Sequence, residues 1–284
     1  MRWYVSALFV GLALSSTAAS AATFGKCRFD TQSQSFAGSA EEQARCLLRK
    51  VKILGHVDAQ PATLPSNLAR MIGQPTGVDN TKLRQLIAAL GLTEAKLGGS
   101  LDAPLSHGSN NNQDAPLARY FVIHDTSTPN FGNNPFPANI DTSNAVNSFA
   151  PYESATNAKA HIFLNRRGET YVGHDFGVPW RATKLESKIG VLSKGLFLHI
   201  ENIQPRRAHP DQADGNAPTP GFSAAQYDRL ALLYVVASVR AGKGLIPAFH
   251  APIDEGLSNG HDDPQNFSLD DFDGALGRVL DKVR

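Results

Sequence analysis

The chain has almost no excess charge of either sign: 27 Lys and Arg stand against 26 Asp and Glu in 284 residues, a formal net charge of +1. Without a basic surplus there is little to hold a phosphate backbone, so nucleic acid is set aside as a partner. Cysteine is nearly absent, with Cys27 and Cys46 as the two residues of that type. Two thiols by themselves cannot close a structural zinc site, and neither belongs to the chemistry developed below. No G-x-S-x-G pattern occurs, which leaves a serine hydrolase unsupported, and H-E-x-x-H, Walker A and dinucleotide fingerprints are absent too. No short repeat dominates and the apolar content is an ordinary 42%, which excludes collagen-like, coiled-coil and wholly disordered chains.

Long apolar runs are also missing beyond the N-terminus, so no later segment reaches the roughly 20 residues that span a bilayer. The one early run follows Met1-Arg2-Trp3, ends near Leu14 and gives way to small residues closing on Ala19-Ser20-Ala21. A basic start, a short apolar stretch and an A-x-A site describe a secretory signal peptide over 1–21, with a soluble mature chain starting near Ala22. Loss of Arg2 with that segment leaves 26 basic and 26 acidic residues. Export to the periplasm or beyond leads into an oxidising compartment, where Cys27 and Cys46 are expected to pair rather than stay as free buried thiols. Closing that loop is worth roughly 3 kcal/mol.

Residues 22–105 read as a small helical unit. Ser39-Ala40-Glu41-Glu42 has capping-box spacing and opens one helix, and a second follows Asp79 with Leu83, Leu86, Ile87 and Leu90 on one face and Gly91 at its end. Its mild basic excess reads as a solvated helix face. From Gly98 to Ala118 the composition turns to Gly, Ser, Asn and Pro, which places a linker over 106–117. After it the pattern changes to short β-branched and aromatic runs. One covers 119–123 and ends at His124; two more flank Asn165-Arg166-Arg167-Gly168 as a hairpin; another, 196–201, has the look of a strand buried on both faces. Helices follow Ser223, with Leu230, Leu233, Tyr234 and Ala237 as a stripe, and Ser268. Residues 118–284 are therefore expected to form an α/β domain with a mixed central β-sheet flanked by helices. The long irregular stretches 125–159 and 204–222 are either walls of a substrate groove or disordered chain.

Two of the nine histidines, His124 and His250, end apolar strands, and Gly260-His261-Asp262-Asp263-Pro264 lies in a nearby loop. Two imidazoles and one carboxylate that leave a coordination position open are what a catalytic zinc requires. By spacing alone a hydrogen-bonded structural role for each His is the competing reading.

The order of motifs adds to this. Tyr-Phe-Val-Ile-His124-Asp, Ala160-His161-Ile-Phe-Leu-Asn-Arg-Arg-Gly168, Leu-His-Ile-Glu201-Asn, Phe222-Ser-Ala-Ala-Gln226, Phe-His250 and His261-Asp-Asp263-Pro264 occur in sequence over about residues 118–280. In this the chain resembles the zinc-dependent N-acetylmuramoyl-L-alanine amidases, the type 2 amidase and peptidoglycan recognition protein superfamily. The resemblance implies one Zn2+ per chain on His124, His250 and Asp263, with Glu201 as the acid that takes a proton from water. His261 falls where the family carries a basic residue, commonly Lys, and would hydrogen-bond the oxyanion or protonate the leaving nitrogen. An alternative has His261 as the ligand and Asp263 behind it; Asp262 is a further candidate ligand. The implied substrate is peptidoglycan or a muropeptide, cut between N-acetylmuramic acid and L-alanine. A non-catalytic peptidoglycan-binding protein is the main rival, and a glycosidase pairing Glu201 with Asp263 is a second.

Three departures stand out. Trp180-Arg181 replaces the family's Trp-His in the groove, where Arg181 would hold a substrate carboxylate or sugar oxygen. The stretch between His250 and Asp263 is longer than the family pattern. His161 falls on a histidine the family often keeps near the site, as a groove-lining or a buried structural residue.

Overall fold

Tyr120, Phe121, Val122 and Ile123 have no exposed surface at all. Four such side chains in a row, alternating in direction, require cover on both faces of the sheet that contains them. In the computed structural model that sheet has five strands, β1 (Tyr120–Asp125), β2 (Ile162–Leu164), β3 (Thr170–Val172), β4 (Phe197–Asn202) and β5 (Ile246–Phe249), in the order β5-β1-β4-β2-β3. The pairs β5/β1, β1/β4 and β4/β2 are parallel, and β2/β3 is the antiparallel hairpin. The fold is thus mixed α/β. Gly168 turns the hairpin at φ 76°, and a Cβ there would stand 2.8 Å from the Ala225 carbonyl oxygen. Only glycine satisfies both conditions.

The structure describes residues 1, 22–154, 156, 159–209, 212–219 and 221–284. The segment read as a signal peptide falls almost wholly outside the described residues. Among the described residues no helix is long and apolar enough to cross a membrane.

Six helices bear on the argument: α1 (Ala40–Leu47), α2 (Asn80–Ala89), α3 (Lys184–Ile189), α4 (Ala224–Arg240), α5 (His250–Asp254) and α6 (Leu269–Val283). Their starts follow local chemistry. Ser39 with Glu42, Thr183 with Glu186 and Ser223 with Gln226 form reciprocal capping boxes, while Asp79 and Ser268 accept from the first free N–H groups. Leu230, Leu233, Tyr234 and Ala237 of α4 are buried, and Tyr234 meets Phe272 of α6 at a ring separation of 6.0 Å.

Residues 22–105 contain three two-residue strands, Thr23–Phe24, Phe29–Asp30 and Ser35–Phe36, which hydropathy patterning does not pick out because they are too short to show a period. This segment packs into the same hydrophobic core as the sheet. Phe36 meets Tyr120 edge-on at 5.2 Å and Tyr120 stacks on Phe197 at 4.8 Å. The Tyr120 hydroxyl donates to Gln43 Oε1 and accepts from the Phe36 N–H, both at 2.9 Å. Residues 106–117 are likewise tied down. The Ser106 N–H donates to the Phe176 carbonyl and its hydroxyl donates to the Gly195 carbonyl.

The stretch 204–222 is not irregular throughout, since Arg207–His209 and Gln212–Asn216 pair as antiparallel strands, and both long stretches are fastened to one buried side chain. Arg166, 3% exposed, ion-pairs with Asp141 of the first and donates to Gln204 and the Gly221 carbonyl of the second. Its own N–H donates to Asn147 Oδ1 at 2.8 Å.

Cys27 and Cys46 stand with their sulfurs 2.00 Å apart across a separation of 19 residues. Beside them Arg49, 2% exposed, donates to the Cys46 carbonyl and ion-pairs with Glu255, the residue that follows α5. The N-terminal segment therefore braces the helix that begins at His250. Replacing both cysteines by serine is expected to lower the unfolding free energy by about 3 kcal/mol through the larger unfolded ensemble; equilibrium denaturation checks it, and an unchanged midpoint would show the bridge to be idle.

Candidate metal centre

Parallel pairing brings the ends of three strands to one edge of the sheet. The register sets His124 of β1 against Glu201 of β4 and Ile123 against Phe249 of β5, so that His250 emerges beside His124. The carboxyl ends of parallel strands are where open α/β sheets place ligands, because backbone and side chains there face free space. Asp263 arrives from the stretch after α5, which closes on itself as the Ala251 N–H donates to the Asp263 carbonyl at 2.8 Å. The extra length between His250 and Asp263 is taken up by α5 and its turn.

His124 Nδ1 lies 2.9 Å from His250 Nδ1, and His250 Nδ1 lies 3.0 Å from Asp263 Oδ1. His124 Nδ1 is 3.7 Å from Asp263 Oδ2 and 3.8 Å from Glu201 Oε1. Donors at about 2.0–2.2 Å from a tetrahedral zinc stand roughly 3.3 Å apart, and these separations bracket that value. One ligand atom from each of His124, His250 and Asp263 falls within 4.8 Å of the others. The donor set, two nitrogens and a carboxylate oxygen, fits a borderline metal such as zinc.

Burial and neighbouring charges together set the charge states. His124, with no exposure, has its pKa held well below the ordinary value by desolvation and by the neighbouring His250 and His199 rings, so it is neutral and keeps a lone pair. For His250 burial acts downward too, but Asp263 and Asp254 outweigh it and raise the pKa well above the usual value. Burial pushes the Asp263 carboxyl up, and the His250 charge, its hydrogen bond and the Asp125 N–H more than reverse this and hold it low. A cation is thus electrostatically favoured at the point where these side chains meet. Glu201 differs: burial and the Asp263 charge push it up to about 8, and 18% of its side chain remains exposed.

Asp263 is held in place from behind. The Asp125 N–H donates to Asp263 Oδ2 at 3.0 Å, and the Asp125 carboxylate accepts from Arg206 at 2.7 and 2.9 Å and from the Gln265 N–H at 3.1 Å. Burial raises the Asp125 pKa to about 6 against the pull of Arg206, which is itself 2% exposed.

The remaining site candidates fall as follows. His261 is half exposed; its ring stacks on His250 at 4.2 Å, with Nδ1 3.7 Å from Asp263 Oδ1, at the rim rather than among the three converging groups. Asp262 accepts from the Gln265 side chain at 2.8 Å and is not one of those three. His161 corrects the groove-lining expectation. It has no exposure, its Nε2 meets the Val178 carbonyl at 3.0 Å and its Nδ1 accepts from the His199 N–H at 3.0 Å, so both nitrogens are spent inside the protein. Trp180 stacks on His174 at 4.1 Å and donates to the Lys159 carbonyl, and Arg181 next to it is exposed.

Sequence reasoning missed Asp125, Arg206, Asp254, Glu186 and His199. Asp254 had a usable signal, since it lies four residues after His250 and would share its helix face. His199 had one too, as an imidazole set in the run Leu196-Phe197-Leu198.

No protein-family model matches the chain, and no curated protein matches it. Among solved structures, the endolysine N-acetylmuramoyl-L-alanine amidase LysCS from Clostridium intestinale URNW is similar over 63% of this chain and 91% of its own, at 15% identity and a TM-score of 0.32. A likeness so distant carries no weight for the chemistry, which rests on this chain's own residues.

Arg206→Met removes the partner of a buried carboxylate and should cost about 3–5 kcal/mol, the price of stranding one charge of a buried pair. The loss should shrink below the raised Asp125 pKa, where protonation removes the stranded charge. Urea unfolding at pH 7 and pH 5 reads both, and an equal loss at the two pH values would contradict the assignment.

Proposed function

We propose that the chain is a zinc-dependent amidohydrolase that cuts the bond between N-acetylmuramic acid and L-alanine in peptidoglycan or its fragments. The observation that carries the hydrolase reading is the convergence of His124, His250 and Asp263 with the partly exposed Glu201 carboxyl 3.8 Å from His124 Nδ1. The bond and the substrate come from the resemblance of the motifs around these residues. Export, to the periplasm or outside, is proposed with it from the N-terminal pattern.

Zinc held by those three side chains would act as a Lewis acid on the scissile carbonyl and on water. The protein's own groups supply the proton traffic. Glu201, pushed up to about 8, favours holding a proton once it has accepted one from water, which is the property of a general base that must later give the proton back. A bound cation lowers that value toward neutrality. His261 at the rim has its pKa lowered by burial and by His250, which makes its protonated form a stronger acid toward a departing amine nitrogen. Arg181, exposed beside Trp180, is free to meet a substrate carboxylate. Asp263 does not suit the glycosidase alternative: it is 2% exposed and occupied by His250 and Asp125, out of a sugar's reach.

Glu201→Gln should keep zinc and lose at least about 100-fold in the release of free L-alanine amino termini from muropeptides, followed by mass spectrometry. His124→Ala should lose metal and activity together. Wild-type cleavage should stop with EDTA and return with zinc; cleavage that survives chelation would overturn the proposal.

A further inference from the structure

A guanidinium nitrogen that meets neither water nor an acceptor needs a reason, because an unpaired buried polar group costs free energy. Arg229 of α4 carries one. Its Nη1 is closed to solvent and makes no hydrogen bond among the described residues. Burial lowers the Arg229 pKa from its ordinary value, and no neighbouring carboxylate raises it. Asp228 precedes it in the chain but pairs with Arg278 of α6 at 2.5 Å, and so does not serve Arg229.

Arg229 lines a cavity of about 320 Å³, none of whose lining residues belongs to the metal centre. Its charged lining is Arg167 of the hairpin turn, Arg229 of α4, and Arg278 and Lys282 of α6, with Asp228 as the one acid. Four cations against one carboxylate leave a local charge of +3, in a chain whose total is +1. The rest of the lining is largely apolar: Leu86 and Leu90 at the end of α2, Leu232 of α4 and Val279 of α6. Leu90 is 49% exposed, so this apolar surface is open to a ligand rather than sealed in the core.

We propose that this pocket binds an amphiphilic anion, a carboxylate or phosphate monoester with a short apolar chain, and that Arg229 grips its oxyanion. A guanidinium presents a planar fork of donors that matches such a headgroup in two parallel hydrogen bonds. The surrounding positive charge favours the anion over a neutral guest. The leucines and the valine give its apolar chain a place out of water.

The walls are formed in advance. α2 is fastened to the end of α6 where the Asp79 N–H donates to the Val283 carbonyl at 2.8 Å and Lys82 Nζ to the Arg284 carbonyl at 2.6 Å. Arg167 is held by the Thr142 carbonyl and by Asn144 Oδ1, and Gly168 beside it rests against Ala225 of α4. A pocket of this kind needs little reordering to accept a ligand. An arginine kept for structure alone would be paired; one kept for a ligand leaves the empty protein with an unmet donor, and its removal should not weaken the fold.

Isothermal titration of the full chain with octyl phosphate and with octanoate tests this, and the tighter of the two identifies the headgroup. The wild type should bind at a single saturable site, and inorganic phosphate should bind at least about 10-fold more weakly for want of the chain. Arg229→Met, which keeps the apolar stem, should weaken binding by about 10-fold or more and leave the ligand-free chain at least as stable in urea. Zinc-loaded and EDTA-treated chains should bind alike. Absence of saturable binding to either octyl anion, undiminished affinity in Arg229→Met, or an Arg229→Met chain less stable than the wild type would overturn the proposal. So would binding that disappears on chelation, which would put the anion at the metal centre.

Discussion

The site depends on the parallel pairing of β1 and β4 in a register that sets His124 directly opposite Glu201. A slip of one residue in that pairing would turn every side chain of one strand to the other face. The register is secured by burial, since Tyr120, Phe121, Val122 and Ile123 on one strand and Phe197, Leu198 and Ile200 on the other are wholly removed from water. At roughly 1.5–3 kcal/mol per large apolar side chain, this burial works against the cost of collecting imidazoles and carboxylates at the strand ends. The sheet imposes the polar cluster, and hydrogen bonds make it tolerable.

How the cluster is made tolerable explains its form. Several of the buried polar groups there are held by a neighbour, while others, among them Glu201 Oε2, His199 Nε2 and His250 Nε2, make no hydrogen bond within the chain. Asp263 leans on the Asp125 N–H, Asp125 on Arg206, and His124 Nε2 on His199 Nδ1. The N-terminal segment joins in from outside through Arg49 and Lys26, both paired with Glu255 beyond α5. Stiffness of this kind is what a metal-binding or catalytic constellation needs, because small displacements of its donors are costly.

Much of this is legible in the sequence where the signal is local. The apolar runs at 119–123 and 196–201, the hairpin around Gly168 and the capping residues Ser39, Asp79, Ser223 and Ser268 mark strands and helix starts from their own neighbourhoods. His124, His250, Glu201 and Asp263 stood out through strand ends and motif order, and the fold gathers them at one edge. What stayed hidden is what long-range pairing decides. The strand order places β5 beside β1 across more than a hundred residues, and Arg206 acquires its role only when a distant segment folds back onto Asp125. His161 shows the opposite failure: its motif position suggested a groove, while the backbone N–H of His199 and the Val178 carbonyl take both its nitrogens. A motif fixes where a residue sits along a strand, and packing then decides whether solvent reaches it.

The most direct test of the central claim is a crystal structure of the zinc-loaded chain with anomalous scattering at the zinc edge. The account predicts one peak per chain, bonded to His124 Nδ1, His250 Nδ1 and an oxygen of Asp263, with the Glu201 carboxyl beside it and unbonded. A peak elsewhere, or one ligated by His261 in place of Asp263, would contradict it.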